Sequence, residues 1–316
     1  MALQASGQIK YSEIIAEFGT PNSGGIGEYR LSENVGSLTN LPLDTGVPQS
    51  GQIKFSDFYS KKLNQIVDLY SIGNNTSRQN AKDRWNTGNV HIVGSTKTGK
   101  TQPPNTNDDR VIINVNATIR SVKGTQTHCA LRTGTWDSNT TLEIEIGTSG
   151  KLFGSGGDGG TGGSANETPG TDGQTGSSAL GIQYPCTINN LGVIQSGYGG
   201  GGGGGGNTRT TGGGKKGGAT TNGSSGGGGG GGAGLPAGSA GGVSAPLAVG
   251  GGSAGSAGQA GSLSGQATGG AGGSEAGAGG NSSPVNNSAT KADDGATASG
   301  AASPGTGGNN GYAIIT

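Results

Sequence analysis

A mainly β and irregular chain in three parts is predicted for these 316 residues. The parts are a small N-terminal repeat module with short helices (1–64), a β-rich middle domain (65–150) and a C-terminal polyglycine-II helix bundle (151–316). Three observations predict them. An N-terminal segment recurs 44 residues later, alternating apolar runs fill the middle, and residues 151–316 hold 58 of the 74 glycines. Only 28% of residues are hydrophobic and 4% aromatic, which argues against one large enzyme core. Nineteen basic residues balance nineteen acidic ones, and no basic tract points to nucleic acid or an anionic membrane.

The repeat comes first. Ser6-Gly7-Gln8-Ile9-Lys10-Tyr11-Ser12-Glu13 returns as Ser50-Gly51-Gln52-Ile53-Lys54-Phe55-Ser56-Asp57. Each copy reads as an extended piece entering a helix, with Ser12 or Ser56 as N-cap and the acid at the positive helix end. The first helix shows Ile14, Ile15 and Phe18 on one side and stops at Gly19. The second is expected to run on, because Tyr59, Leu63, Ile66, Val67 and Tyr70 follow helical spacing. Modules this small bury too little to stand alone. Ile9, Tyr11, Ile14, Phe18, Ile53, Phe55 and Phe58 are therefore candidates for docking onto a partner or a second copy.

In the middle, Ile113, Val115, Ala117 and Ile119 alternate onto one face, and Leu142 to Ile146 alternates more cleanly. A small antiparallel sandwich or sheet is expected, with Trp85 and Trp136 as its large core or rim residues. Beyond Lys151, Gly156 to Gly163 is two-thirds or more glycine, Gly199 to Gly206 is all glycine, and Gly252, Gly255, Gly258 and Gly261 keep a period of three. That is the repeat of a polyproline-II-like helix, whose outward N–H and C=O groups need neighbours of the same kind. Only glycine on the contacting edges permits such close approach. Ordering these residues costs on the order of 150–300 kcal/mol of backbone entropy, so a flexible glycine linker is the alternative. The periodicity, the interleaved strands and the apolar ending Tyr312-Ala313-Ile314-Ile315 favour order.

The chemistry-bearing residues are sparse. Gly94 to Thr101 matches a phosphate-loop pattern, yet Gln102-Pro103-Pro104 follows where a helix should open, so a polar loop is expected. His128 and Cys129 are adjacent, which puts them on opposite faces of a strand. Cys129 and Cys186 make no disulfide framework, though they could pair. Glu143 and Glu145 share an ordinary solvent face, and Asp293-Asp294 near Asn286-Asn287 fits a turn better than a cation site. No catalytic residue, metal or cofactor is expected. Recognition is assigned instead to polar loops between glycine runs, with Asn207, Thr208, Arg209, Lys215, Lys216, Tyr198, Asn286 and Asn287 as candidates. Met1-Ala2-Leu3-Gln4 lacks the charged head of a signal peptide, and no run reaches membrane-spanning length.

Met1 to Ile14 resembles an N-terminal segment found in bacteriophage structural and tail proteins, and Ser50 to Tyr59 is a variant of it. The glycine blocks after Leu191-Gly192-Val193-Ile194 and the Gly311 to Ile315 ending are similar to glycine-rich tail-fibre adhesins of T-even-type phages. The resemblance implies a polyglycine-II sandwich whose end loops contact outer-membrane proteins or lipopolysaccharide. It implies a chain made in the host cytoplasm, carried on the virion and released by lysis. The N-terminal candidates would then attach it to other virion proteins. A purely structural virion component and an ice- or surface-binding protein are the competing readings.

Overall fold

The computed structural model describes residues 3–69, 78–100, 109–163, 169–203, 231–232, 234–242, 306–309 and 311–316, with the backbone of strands at 207–211, 220–224 and 296–298. Among these residues the chain is mainly β, with few and short helices.

The N-terminal module begins with α1 (Tyr11–Phe18), which ends at Gly19 in a left-handed conformation (φ 88°). A Cβ at Gly19 would also stand 2.8 Å from the Thr98 carbonyl oxygen. The serines do not cap. Lys10 is the N-cap, and its N–H donates to the Glu13 carboxylate at 2.8 Å. In the second copy Lys54 N–H donates to Asp57 at 2.7 Å, but only a single 3₁₀ turn forms, Phe55–Phe58. The longer helix does not exist, because residues after Leu63 pair as a strand with partners far along the chain. A hairpin of β1 (Glu33–Val35) and β2 (Leu38–Leu41) completes the module. Its core joins Phe18, Tyr29 and Phe58, edge-on at 5.5–6.0 Å, to Ile14, Leu43 and Leu63.

The middle is not an antiparallel sandwich. Its strands are β3 (Asn64–Asp68), β4 (Gln79–Asn80), β5 (His91–Ile92), β6 (Arg110–Val115), β7 (Thr118–Arg120), β8 (Cys129–Arg132), β9 (Thr141–Ile146), β10 (Lys151–Phe153), β11 (Ser178–Gly181), β12 (Thr187–Asn190), β13 (Val193–Gln195) and, at the chain end, β17 (Ile314–Ile315). The ladders β3·β6·β9·β12, β7·β10·β13 and β4·β8·β11·β17 are all parallel. Among the described residues, the passes β6–β7–β8, β9–β10–β11 and β12–β13–β17 visit the three sheets in turn, so the strands stack as successive coils of a three-sided solenoid. Only β5, antiparallel to β3, departs from this. The alternating run 111–119 is thus two strands broken by a corner at 116–117. β9 and β10, on either side of residue 150, are consecutive strands of the coil.

The coil interior is the main apolar core. Val67, Ile113 and Ile144 stack inward at one register level, and Ile119, Leu152, Leu131 and Leu180 face them from the other two sheets. A short helix, α2 (Ala81–Asn86), brings Trp85 against Trp136 at 5.8 Å. Lys82 Nζ lies over both rings at 4.0 and 4.5 Å. The opposite face of the first sheet carries Ile66 and Ile112 into the N-terminal module, so one sheet serves two cores.

Candidate functional site

The glycine segments grow out of the coil without a change of register. In β10 and β13, Phe153 pairs with Gln195; Gly154 N–H then donates to Gln195 O at 2.8 Å, Gly157 to Tyr198 O at 2.9 Å and Gly160 to Gly201 O at 2.8 Å. On the other side, Gly173 donates to Thr306 O and Gly176 to Asn309 O, both at 2.8 Å, leading into the β11·β17 ladder. The bonds recur every third residue. Residues 154–163 are also bonded to 171–177, running antiparallel, through Thr171, Gln174 and Ser177, and to 236–242 through Gly156, Gly159 and Gly162. One segment therefore bonds three neighbours in different directions, which a flat sheet cannot do.

This packing needs glycine because nothing larger fits. A Cβ at Gly157 would meet the Gln174 carbonyl oxygen at 1.9 Å, one at Gly197 the Ser155 oxygen at 1.8 Å, and one at Gly199 the Gly308 oxygen at 1.9 Å. The residues that are not glycine pair across the segments. Ser155 and Ser177 share a buried hydroxyl contact at 3.0 Å, and Thr161 and Thr171 an exposed one at 3.0 Å. Asp172 accepts from Thr306 N and Oγ1 at 2.7 and 2.8 Å, which holds its carboxyl below the usual range.

The predicted recognition residues fall in several places. Tyr198 is half-buried, and its carbonyl accepts from Gly157 inside the array. Asn207, Thr208 and Arg209 do not lie in a loop. They form β14 (Asn207–Thr211), antiparallel to β15 (Thr220–Ser224) and to β16 (Ala296–Ala298), with Arg209 opposite Asn222 and Ala298. The structure brings these three residues onto one strand through pairing with two distant segments, against the turn preference of Asn. Lys215, Lys216, Asn286, Asn287 and Asp293-Asp294 lie outside the described residues.

Of the docking candidates, Ile14, Phe18 and Phe58 are fully buried and Ile9 is nearly so. Tyr11 and Ile53 are half-buried, and Phe55 is 42% exposed. Tyr11 and Phe55, equivalent positions of the two repeats, meet edge-on at 6.3 Å. Among the described residues, four of the five exposed large apolar side chains lie instead at or beside the final coil: Leu191, Val193, Tyr312 and Ile314.

The remaining motifs are structural. The phosphate-loop-like stretch forms one helical turn, α3 (Ser95–Thr98), and Lys100 Nζ donates to Ala16 O at 2.7 Å. A Cβ at Gly94 (φ +81°) would strike Leu31 and Leu43 at 2.8 Å, so this loop is packed against the module core. His91 meets Glu33 at 3.0 Å, and His128 Nδ1 lies 3.1 Å from Lys123 O. Cys129 and Cys186 are free thiols, and burial pushes both up. The Glu145 carboxyl is raised by burial and then by Glu143, while Asn189 Nδ2 donates to both acids. Among the described residues no cluster of three potential metal ligands occurs, and no helix is long and apolar enough to cross a membrane.

Sequence reasoning missed one feature, a polar knot between coil and array. Lys123 Nζ donates to Asp158 Oδ1 at 2.6 Å and to Ser239 Oγ at 3.1 Å, and Ser239 N–H donates to the same Asp158 oxygen at 2.5 Å. Its one available signal is that Asp158 is the lone charge within Gly156 to Gly163.

A family model described as phage tail fibre adhesin Gp38 matches residues 76–316. No curated protein and no solved structure matches the chain.

Proposed function

The chain belongs to the phage tail fibre adhesin Gp38 family, and we propose that it anchors to the particle by its N-terminal module and grips a host-surface receptor with the loops of its glycine-rich part. Receptor binding on behalf of a tail fibre is the family's role, which makes this a virion-associated binding protein.

The observation that carries the finer reading is the placement of the two ends. The N-terminal module packs on the outer face of the β3·β6·β9·β12 sheet through Ile66 and Ile112. The glycine segments leave at the corner between the other two sheets, after β10 and β13, and return into β11 and β17. In a three-sided coil that corner lies across from the first sheet, so module and array project to opposite sides. The repeat module lies within residues 1–75, ahead of the residues matched by the family model, and we assign virion attachment to it. The half-buried Tyr11 and Ile53 and the exposed Phe55 are its available contact face. We read the triplet-bonded array as a polyglycine-II bundle: it is stiff, carries few side chains, and leaves recognition to its tips. Candidate contacts are Asn207, Thr208, Arg209 and Tyr198, with Lys215, Lys216, Asn286 and Asn287. The receptor would be an outer-membrane protein or surface polysaccharide.

The test is host range. Particles whose chain carries residues 212–219 and 281–294 of a relative with another host should gain that host. Unchanged host range, with the exchanged chain present on the particle, would leave a structural fibre component as the better description.

A further inference from the structure

We propose that Lys123 is a positioning residue for receptor binding, latching the glycine arm 234–242 to the coil and so fixing how the glycine-rich part stands on it. The inference rests on the adhesin reading above.

Three parts of the chain that are distant in sequence meet at this latch. Lys123 stands on the corner between β7 and β8, Asp158 on the first glycine segment and Ser239 on the arm. The ammonium donates to the acid at 2.6 Å and to the serine hydroxyl at 3.1 Å, and the acid accepts the serine N–H at 2.5 Å. The Lys123 and Asp158 side chains are only 29% and 31% exposed, so the pair is partly withdrawn from water. Burial alone would raise the Asp158 carboxyl, but Lys123 and Ser239 outweigh it and hold it below its ordinary value. A charge-assisted bond in such a place is worth about twice a neutral one.

The arm's other holds are backbone bonds. Its backbone meets residues 154–163 through triplet bonds such as Gly156 to Pro236 O and Gly162 to Gly242 O. Leu235 N–H also donates to Gly154 O and Gly232 N–H to Gly157 O, both at 2.9 Å, so the backbone bonds fix where the arm lies. The latch adds a side-chain tie from arm to coil, in which a lysine ammonium and an acid meet the hydroxyl and the N–H of Ser239. The corner is itself well held: Ser178 N–H donates to His128 O at 2.8 Å and His128 Nδ1 lies 3.1 Å from Lys123 O.

The test uses the full chain and particles carrying it. In Lys123→Ala, amide exchange at Ser239 should rise about tenfold, the worth of a lost hydrogen bond to a charged group, and adsorption to host cells should slow. Lys123→Arg should restore both, while exchange in β6, β9 and β11 stays as in the wild type. Ser239→Pro, which deletes the N–H donor on the arm without touching the coil, should also slow adsorption. Faster exchange at Ser239 in Lys123→Ala, with adsorption unchanged in both Lys123→Ala and Ser239→Pro, would show a purely structural contact and overturn the proposal, as would no change in that exchange. Particles lacking the chain serve as the separate control. If they adsorb normally, the adhesin reading itself fails.

Discussion

Replacing Gly157 by alanine tests whether close backbone approach, and not glycine flexibility, holds the array. The added methyl carbon would sit 1.9 Å from the Gln174 carbonyl oxygen and 2.6 Å from its carbon, where ordinary contact needs about 3.4 Å or more. Neither atom belongs to a movable side chain, so one segment must shift by more than an ångström. Such a shift breaks the bonds that meet there: Gly157 to Tyr198 O at 2.9 Å, Gln174 to Asp158 O at 2.7 Å, Gly200 to Gln174 O at 2.9 Å and Gly232 to Gly157 O at 2.9 Å. At roughly 1 kcal/mol net for each, the expected loss is about 3–5 kcal/mol. Gly242 is the control, because it lies in the same array and has nothing within 4 Å of its hypothetical Cβ. Gly242→Ala should match the wild type or be slightly stabilised through its less flexible unfolded chain. Urea unfolding followed by far-UV circular dichroism and by amide exchange across 154–203 would measure both. Equal midpoints for the two variants would refute the steric argument.

Other perturbations reach different layers. Trp85→Ala removes a ring packed edge-on against Trp136 and the donor to the buried Gln65 Oε1 at 2.7 Å; it should cost about 3–5 kcal/mol and erase the near-ultraviolet dichroism of the pair. Burial raises the Asp109 carboxyl to about 6, against donation from Gln65. The folded protein thus holds that proton longer than the unfolded chain, and this residue's contribution to stability should fall as pH climbs from about 4 to 6 and then level off. Asp109→Asn should flatten that slope in a pH series of urea midpoints. Removing residues 312–316 deletes the acceptors for Ala179, Leu180 and Ile182 N–H, so exchange should quicken across 178–182 while α1 and β3 are unaffected.

Local signals in the sequence were read well where local physics decides. Gly19 ends α1, the alternation in 111–115 and 142–146 marks strands, and Trp85 and Trp136 are buried. The parallel arrangement was not legible, because alternation reports which side chains share a face and says nothing of strand direction. Several coil strands have only two to four residues, and Gln79–Asn80 pairs with Leu131–Arg132 across 52 positions. The helix expected after Phe55 lost to similarly distant pairing of Asn64–Asp68 with Arg110–Asn114. Ser12 and Ser56 were displaced as caps because the acid one residue later reaches back to the lysine N–H. In the candidate site, Asn207 to Arg209 carries the polar composition of a loop, yet forms a strand whose neighbours come from 220–224 and 296–298. Nothing local to those residues announces that.

The shared register between coil and glycine segments sets a rule for how such a protein can change length. Because bonds recur in threes along both legs of an excursion, a tip can be carried farther out by matched triplets added to the legs, leaving every contact nearer the coil as it was. Insertions of one or two residues would put side chains where carbonyls now stand. Variation in reach should therefore come in discrete steps, while the tips themselves stay free to diverge in composition without disturbing the scaffold beneath them.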